Sequence, residues 1–491
     1  MPYSPHGSTY VDLLRLFNSD RLYIAFMKRS PLIILFITIF IDLLGFGLVI
    51  PLIPIYIQHY GGKPWIGGLL LASFSTMQFI FSPIWGRASD RFGRRPLILL
   101  SLMGSAISFM AFGSARSLAI LFIARVAAGI LSAASLPAAY AYIADVTPPE
   151  KRSGGMALIG AAFGLGFALG PAISGPLSQH PILGIPPLAM PAYFAALLCL
   201  INFTWAVFNL PETHTDRSAH SEAKGLKDIF QGIGKALTNP AIKYQLTVFA
   251  FTTFAFTAVE SSFSWLTLLR FKAEIEAVAM TTWHGYGHLP FASVPFEVRK
   301  LIPPGIVWSD YSGLGLGAID GKIASLLREK AAAAINTRIF MIVGITILFV
   351  QVAVMRGVAA LFGEKRLIVS GALILTITLF GIALAQRLLY IEILAAFIAI
   401  GNGILNPCLS SIISQAAGKE NRGTVSGAQQ GIGSLARIIA PPINNYMVGI
   451  NTAIPFVGSG ILMGIACALS VNLRQPPKIE PKDEAAVIAA K

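Results

Sequence analysis

The chain is poor in charge. Of its 491 residues only 12% are Asp, Glu, Lys or Arg, while 55% are hydrophobic. A soluble domain carries about 25% charged residues, so a surface of this composition is not wetted in the ordinary way. Cysteine is scarce as well. Cys199, Cys408 and Cys467 all fall in apolar runs without the Cys/His spacing of a zinc site, so they read as small packing residues and no metal is expected. The phosphate-loop pattern GxxxxGK(S/T) is absent, and no strand–turn–helix context supports a dinucleotide site. No nucleophile–base–orienter set can be picked out, so the chain does not read as an enzyme and needs no organic cofactor. The formal charge of +14 is not a sign of nucleic acid, because Lys and Arg gather in short links between apolar runs. No cleavable leader is legible: Asp12, Arg15, Asp20, Arg21, Lys28 and Arg29 precede the first long apolar run, which makes 1–30 a cytoplasmic tail.

What the chain has instead is length in apolar runs. Runs of about 18 residues or more recur, each able to cross roughly 30 Å of hydrocarbon as a helix. Spans are expected near 31–55, 65–85, 97–115, 118–142, 155–177 and 189–209, then near 243–268, 335–355, 367–386, 390–414, 424–447 and 453–473. The expected fold is therefore an all-α membrane protein with twelve transmembrane helices in two six-helix bundles, 31–209 and 243–473. A cytoplasmic linker at 210–242 joins them, and a tail follows at 474–491. Arg87, Arg91, Arg94, Arg95, Lys151, Arg152, Arg356, Lys365, Arg366, Lys419 and Arg422 lie in alternate links, while the opposite links carry only Lys63, Arg116 and Arg387. Positive charge stays inside, so both termini are expected in the cytoplasm. The lipid bilayer is the expected partner, with the monomer as the working unit.

One link departs from this economy. Residues 271–334 form a long outer insertion containing Trp283-His284-Gly285-Tyr286-Gly287-His288, a Pro-rich stretch, and a helix in which Ile319, Ile323, Leu326 and Leu327 share a face. A cap over an outer vestibule and a tolerated insertion are both consistent with it. Two histidines do not make a metal site.

Charge inside the spans is rare and therefore informative. A carboxylate at Asp42, within the first span, costs several kcal/mol unless it faces a cavity or a partner. It either carries a proton or neutralises a cationic cargo, or it serves an internal contact. Glu260 in span seven, beside Ser261, Ser262 and Ser264, raises the same alternatives. Arg125 in span four and Arg437 in span eleven are expected to face the interior and to pair with carboxylate or carbonyl groups. Exchange of partners between two conformations is the simplest way for such groups to load and release a proton. Gln78, Asn202, Gln351, Asn402, Asn406 and Gln430 are further polar candidates for a cavity, some of them serving only as interhelical bonds. Span five is rich in small residues at helical spacing, which suits close packing and sliding.

These residues carry a resemblance. Gly86, Asp90, Arg91, Gly93, Arg94 and Arg95 match the link between helices two and three of the major facilitator superfamily, where the acidic residue is taken to latch the inner side. Arg125 with Gly129 resembles the family's span-four arginine motif, associated with proton transfer, although Ala128 stands where glutamine is common. Gly166, Gly170, Pro171 and Gly175 resemble the span-five motif of drug–proton antiporters, with Ser174 in place of a usual glycine. Gly363-Glu364-Lys365-Arg366 looks like a decayed second copy of the inner link, with Ala360 at the position of Asp90. Asp42 to Gly47 with Pro51 and Pro54, and Leu435 to Ile438 with Pro441, are similar to tetracycline–proton antiporters. The resemblance implies alternating access and proton-coupled export of a small amphipathic compound from the bacterial inner membrane, with drug resistance as its setting. Import of a metabolite or metal complex, and a receptor or assembly role for 271–334, are the rival readings.

Overall fold

A computed structural model describes residues 31–147, 162, 165–166, 169–178, 185–213, 231, 234, 238, 240–304, 307–350, 362–416 and 418–473. Its regular elements are helices: α1 Pro31–Val49, α2 Ile53–His59, α3 Pro64–Phe92, α4 Arg94–Gly113, α5 Leu118–Ser132, α6 Ser135–Val146 and α7 Met190–Asn209. There follow α8 Pro240–Arg270, α9 Lys272–Gly287, α10 Phe296–Arg299, α11 Trp308–Ser312, α12 Gly321–Phe349, α13 Glu364–Leu384, α14 Leu388–Ala416, α15 Gly418–Ile450 and α16 Ile454–Val471.

Among the described residues, 10 candidate helices are long and apolar enough to cross a membrane, two of them running on through α1–α2 and α5–α6. The expected twelve are therefore not all accounted for. Most of 155–177 lies outside the described residues. At 424–447 a helix does form, but α15 is too polar along its length to qualify by composition. What stands is an all-α, multi-pass membrane fold built from helical bundles.

Packing follows chain order. α4 lies on α5 and α7, and α1 on α7; in the C-terminal set α13 lies on α14 and α16, and α8 on α15 and α16. The most extensive bridge between the sets is α3 crossing α15. Glycine makes two of the tight contacts possible. At Gly170 an added Cβ would come 2.7 Å from the backbone of Gly47, so α1 and the helical stretch 169–178 touch main chain to main chain. At Gly68 it would come 2.4 Å from the carbonyl oxygen of Pro441, in the crossing of α3 and α15.

The insertion is more regular than the sequence suggests. α9 follows α8 after a single residue, Phe271, and the helix expected inside the insertion is continuous with span eight as α12. Asp320 starts it by accepting a hydrogen bond from the Lys322 amide at 2.8 Å. Ile319, Ile323 and Leu327 are buried and Leu326 is partly so, which accounts for the apolar face. At 29 residues, α12 is about 43 Å long, so roughly a third of it extends beyond a 30 Å hydrocarbon layer. The segment has its own small core, in which Trp283 meets Trp308 and Tyr311 edge-on at 5.7 and 5.8 Å and donates to Leu314 O at 3.0 Å. Arg328 of α12 holds Glu276 of α9 by two bonds of 2.6 and 2.9 Å, which keeps the Glu276 carboxyl below its ordinary range. His284 and His288 are exposed, and no group of three His, Cys, Asp or Glu assembles among the described residues.

Two ends can be distinguished. The basic end carries the Gly86–Arg95 link. The far end carries His59, Pro64, the start of α12 and the close of α15. On its outer flank, Trp65, Leu69, Pro442 and Tyr446 line an apolar groove of about 320 Å³.

Candidate functional site

The turn at the basic end is set by one residue. Gly93, at φ 105°, reverses the chain between α3 and α4, in a region that L side chains rarely occupy. This places Arg94, buried, at the start of α4. Its guanidinium pairs with Asp90 one turn back, reaches Asp145 at the end of α6 at 3.3 Å and donates to Ser89 Oγ at 3.1 Å. Glu212, just after α7, caps α4: it accepts from the amides of Arg94 at 3.0 Å and Arg95 at 3.2 Å. A carboxylate on the positive end of a helix is a favourable placement. Arg95 in turn donates to Val207 O at 2.5 Å. Gly86 is partly buried, and Arg87 and Arg91 are exposed. Of the expected latch residues, Asp90, Gly93, Arg94 and Arg95 come together while Gly86 and Arg91 do not, and Asp145 and Glu212, which sequence reasoning overlooked, join the cluster. The signal was a lone acid in Leu210-Pro211-Glu212-Thr213, directly after a span.

The second copy keeps the geometry and changes the charge. Gly363 also has positive φ, 79°, before α13. Glu364 accepts from Ser411 Oγ at 2.6 Å and from Gln415 Nε2 at 3.1 Å. Ala360 and Gln351 lie outside the described residues.

Between the ends, the intramembrane charges fall in three separate places. Asp42 on α1 is partly buried and accepts from Ser105 Oγ of α4 at 2.9 Å. Glu260 of α8 and Arg437 of α15 are both partly buried and close enough to act on one another through space.

Arg125 departs from expectation. It is 3% exposed, yet among the described residues no carboxylate pairs with it, and its Nε and Nη2 have no hydrogen-bond acceptor. The rings of Phe46, Phe74 and Phe112 surround it instead, at 5.9, 5.9 and 5.0 Å. Ring faces attract a desolvated guanidinium, which is why this cation persists without an anion. Aromatic residues on α1, α3 and α4 were the missed signal.

The neutral polar candidates divide. Asn202 is buried in a helix contact, donating to Thr38 Oγ1 of α1 at 3.2 Å, so it is an interhelical bond and not a cavity group here. Asn406 donates to Asn402 within α14 at 2.6 Å. Gln78 is partly buried and Gln430 exposed. In the span-five stretch, Gly166 and Gly170 lie against α1, Ser174 donates to Leu48 O at 2.8 Å, and Gly175 faces Thr337 of α12. Pro171 is buried there, with its ring near Gly47.

At the far end the two sets of helices are joined. Asn445 of α15 is 1% exposed. In the amide orientation that satisfies all its neighbours, it donates to Ser262 Oγ at 3.1 Å and Ser261 O at 2.9 Å, and accepts from the Gly68 amide at 2.9 Å. His59 Nδ1 of α2 lies 3.0 Å from Glu329 Oε1 of α12.

Charged groups held inside each of two packed sets of membrane-length helices, with glycine-lined contacts, define a polytopic, all-α membrane protein. The chain belongs to the Major Facilitator Superfamily, whose model matches residues 35–296 and 312–490. It is similar to Multidrug resistance protein 2 of Bacillus subtilis (strain 168), at 26% identity over 473 residues, covering 94% of this chain and 98% of that protein. Tetracycline resistance protein, class E, of Escherichia coli is 37% identical, but over 201 residues only, 40% of this chain and 48% of its own. The crystal structure of the human organic anion transporter MFSD10 superposes with a TM-score of 0.60 at 23% identity, covering 90% of this chain and 99% of that one. The fold is that of a secondary transporter of this superfamily. Similarity to the tetracycline proteins is confined to part of the chain, so the expected subgroup is narrower than what is established.

Proposed function

We propose that this protein is a proton-coupled carrier working by alternating access, with Asp42 as the proton-bearing group. The observation that carries this is the setting of Asp42: a carboxylate within a span that accepts from the Ser105 hydroxyl and has no ion-pair partner among the described residues. A hydroxyl donates to the ionised form and accepts from the protonated one, so either state has a partner. Orientation follows the basic links: the Gly86–Arg95 end faces the cytoplasm, and the two bundles meet across α3 and α15. Asp90 and its neighbours serve as the latch of the basic end.

Two cargoes are compatible with this frame. Export of an amphipathic compound is supported by the resemblance of Gly166, Gly170, Pro171 and Gly175 to antiporters and by the multidrug relative. Carriage of an anionic metabolite is supported by Arg125, whose charge no carboxylate answers among the described residues, and by likeness to an organic anion carrier along 90% of the chain. The second is the better account, because it gives the unanswered guanidinium a counter-charge.

The test is flux in proteoliposomes under an imposed pH gradient, with fluorescein as anionic probe and ethidium as cationic probe. Asp42→Asn is expected to abolish gradient-driven flux while the protein stays folded by its melting profile. Undiminished coupled flux removes Asp42 from the mechanism, and flux of ethidium alone returns the export reading.

A further inference from the structure

The segment between α8 and α12 holds the break in the family match, at 297–311, and has no part in the carrier chemistry. It is not a slack loop. Its first helix α9 follows α8 after one residue, and its last part, 321–334, is the outward half of α12. The two are tied by Arg328 and Glu276. Inside, Ile323, Leu327 and Lys330 of α12 are buried against the rest of the segment. A helix stiffened in this way holds its remaining face in a fixed position. That face carries Glu329, next in the chain to Arg328, and Glu329 meets His59 at the far end of α2. The two residues are 270 positions apart and belong to the two different sets of helices. Ser325, one turn back on α12, also lies within 3.5 Å of the Glu329 carboxylate, and the Tyr60 ring stands edge-on to the His59 ring at 5.0 Å.

We propose that the segment spanning 271–334 is a clasp that holds the far end closed by carrying Glu329 onto His59. The inference rests on the alternating-access reading, since a clasp needs two states to choose between. It assigns the segment a part in conformational balance and none in cargo contact. The pair is half exposed at His59, with 50% of its side chain open against 17% for Glu329. Its effect on a two-state balance is therefore modest, up to about fivefold. A balance near unity responds fully to a factor of that size.

The test is a distance distribution in lipid nanodiscs, read between spin labels on Arg116→Cys and Leu389→Cys at the far ends of the two sets. His59→Ala and Glu329→Ala are each expected to raise the open-to-closed ratio about two- to fivefold. The double variant should rise no further than either single. Glu276→Ala, which loosens the prop without touching the pair, should move the ratio the same way by a smaller factor, and His284→Ala should leave it unchanged. Additive singles, or a ratio that does not move, overturn the pairing. A silent Glu276→Ala overturns the role of the segment, leaving a local contact. The readout needs neither cargo nor proton, so failure of the clasp and failure of the carrier chemistry are separate results.

Discussion

A buried guanidinium without an acceptor is costly, and Arg125 keeps one at the centre of the N-terminal helices. Three phenylalanine faces moderate that cost but do not return the hydrogen bonds lost by Nε and Nη2. Replacing such a cation by an apolar side chain of similar volume is often neutral or stabilising, by about 1–4 kcal/mol. Arg125→Leu is therefore expected to melt no lower than the parent protein in detergent, and to lose carriage of anionic probes in proteoliposomes. A fall in melting temperature together with retained flux would make Arg125 a structural residue. Sequence reading placed this arginine inside a span and inside the bundle, but gave it a carboxylate or carbonyl partner. It chose wrongly because Phe46, Phe74 and Phe112 come from three helices, and nothing local to Arg125 announces them.

At the scale of elements, contact between backbones dominates. Where α1 meets 169–178, Gly47 and Gly170 leave no room for a methyl group, since the nearest atoms to it are main-chain carbons at 2.7 Å. Gly170→Ala must push the helices apart, at a cost of about 1–3 kcal/mol for overpacking. The expected outcome is a lower melting temperature and slowed transport, both measurable on the same purified sample. The small-residue spacing made this interface legible in the sequence. The capping of α4 by Glu212 was not, because it joins positions 118 apart through a geometry that only the folded turn at Gly93 creates. The same limit explains α12. The apolar face of 319–327 was readable, but its continuity with span eight was not, since the polar run Arg328-Glu329-Lys330 looks like a helix boundary. In the fold, Arg328 and Glu329 find partners on neighbouring helices while Lys330 is buried.

For the whole molecule, the positions of the contacts matter more than their number. Asn445 bridges α15, α8 and the start of α3 at the far end, while at the basic end Asp90 pairs with Arg94 on its own side. Asn445→Leu leaves the Ser262 hydroxyl without its partner on α15 in the closed form, a penalty of about 1–3 kcal/mol that is relieved by opening. Maleimide labelling of a far-end cysteine at Ser261→Cys is expected to be faster in the Asn445→Leu background. An unchanged rate would mean that packing of Gly68 on Pro441 suffices to hold this end together. Broad architecture was legible from the rarity of charge, but which end is sealed depends on pairings between distant helices.

The groove outside that crossing has a practical consequence. Trp65 and Tyr446 form its rim, 42% and 61% exposed, on helices from the two sets. Separation of α3 from α15 would dismantle the groove and bare the indole to acyl chains. Brominated phospholipids should therefore quench Trp65 more strongly as the seal loosens, with Trp65→Phe isolating its share of the emission. The native chain thus supplies an optical gauge of its own gate, with no label attached.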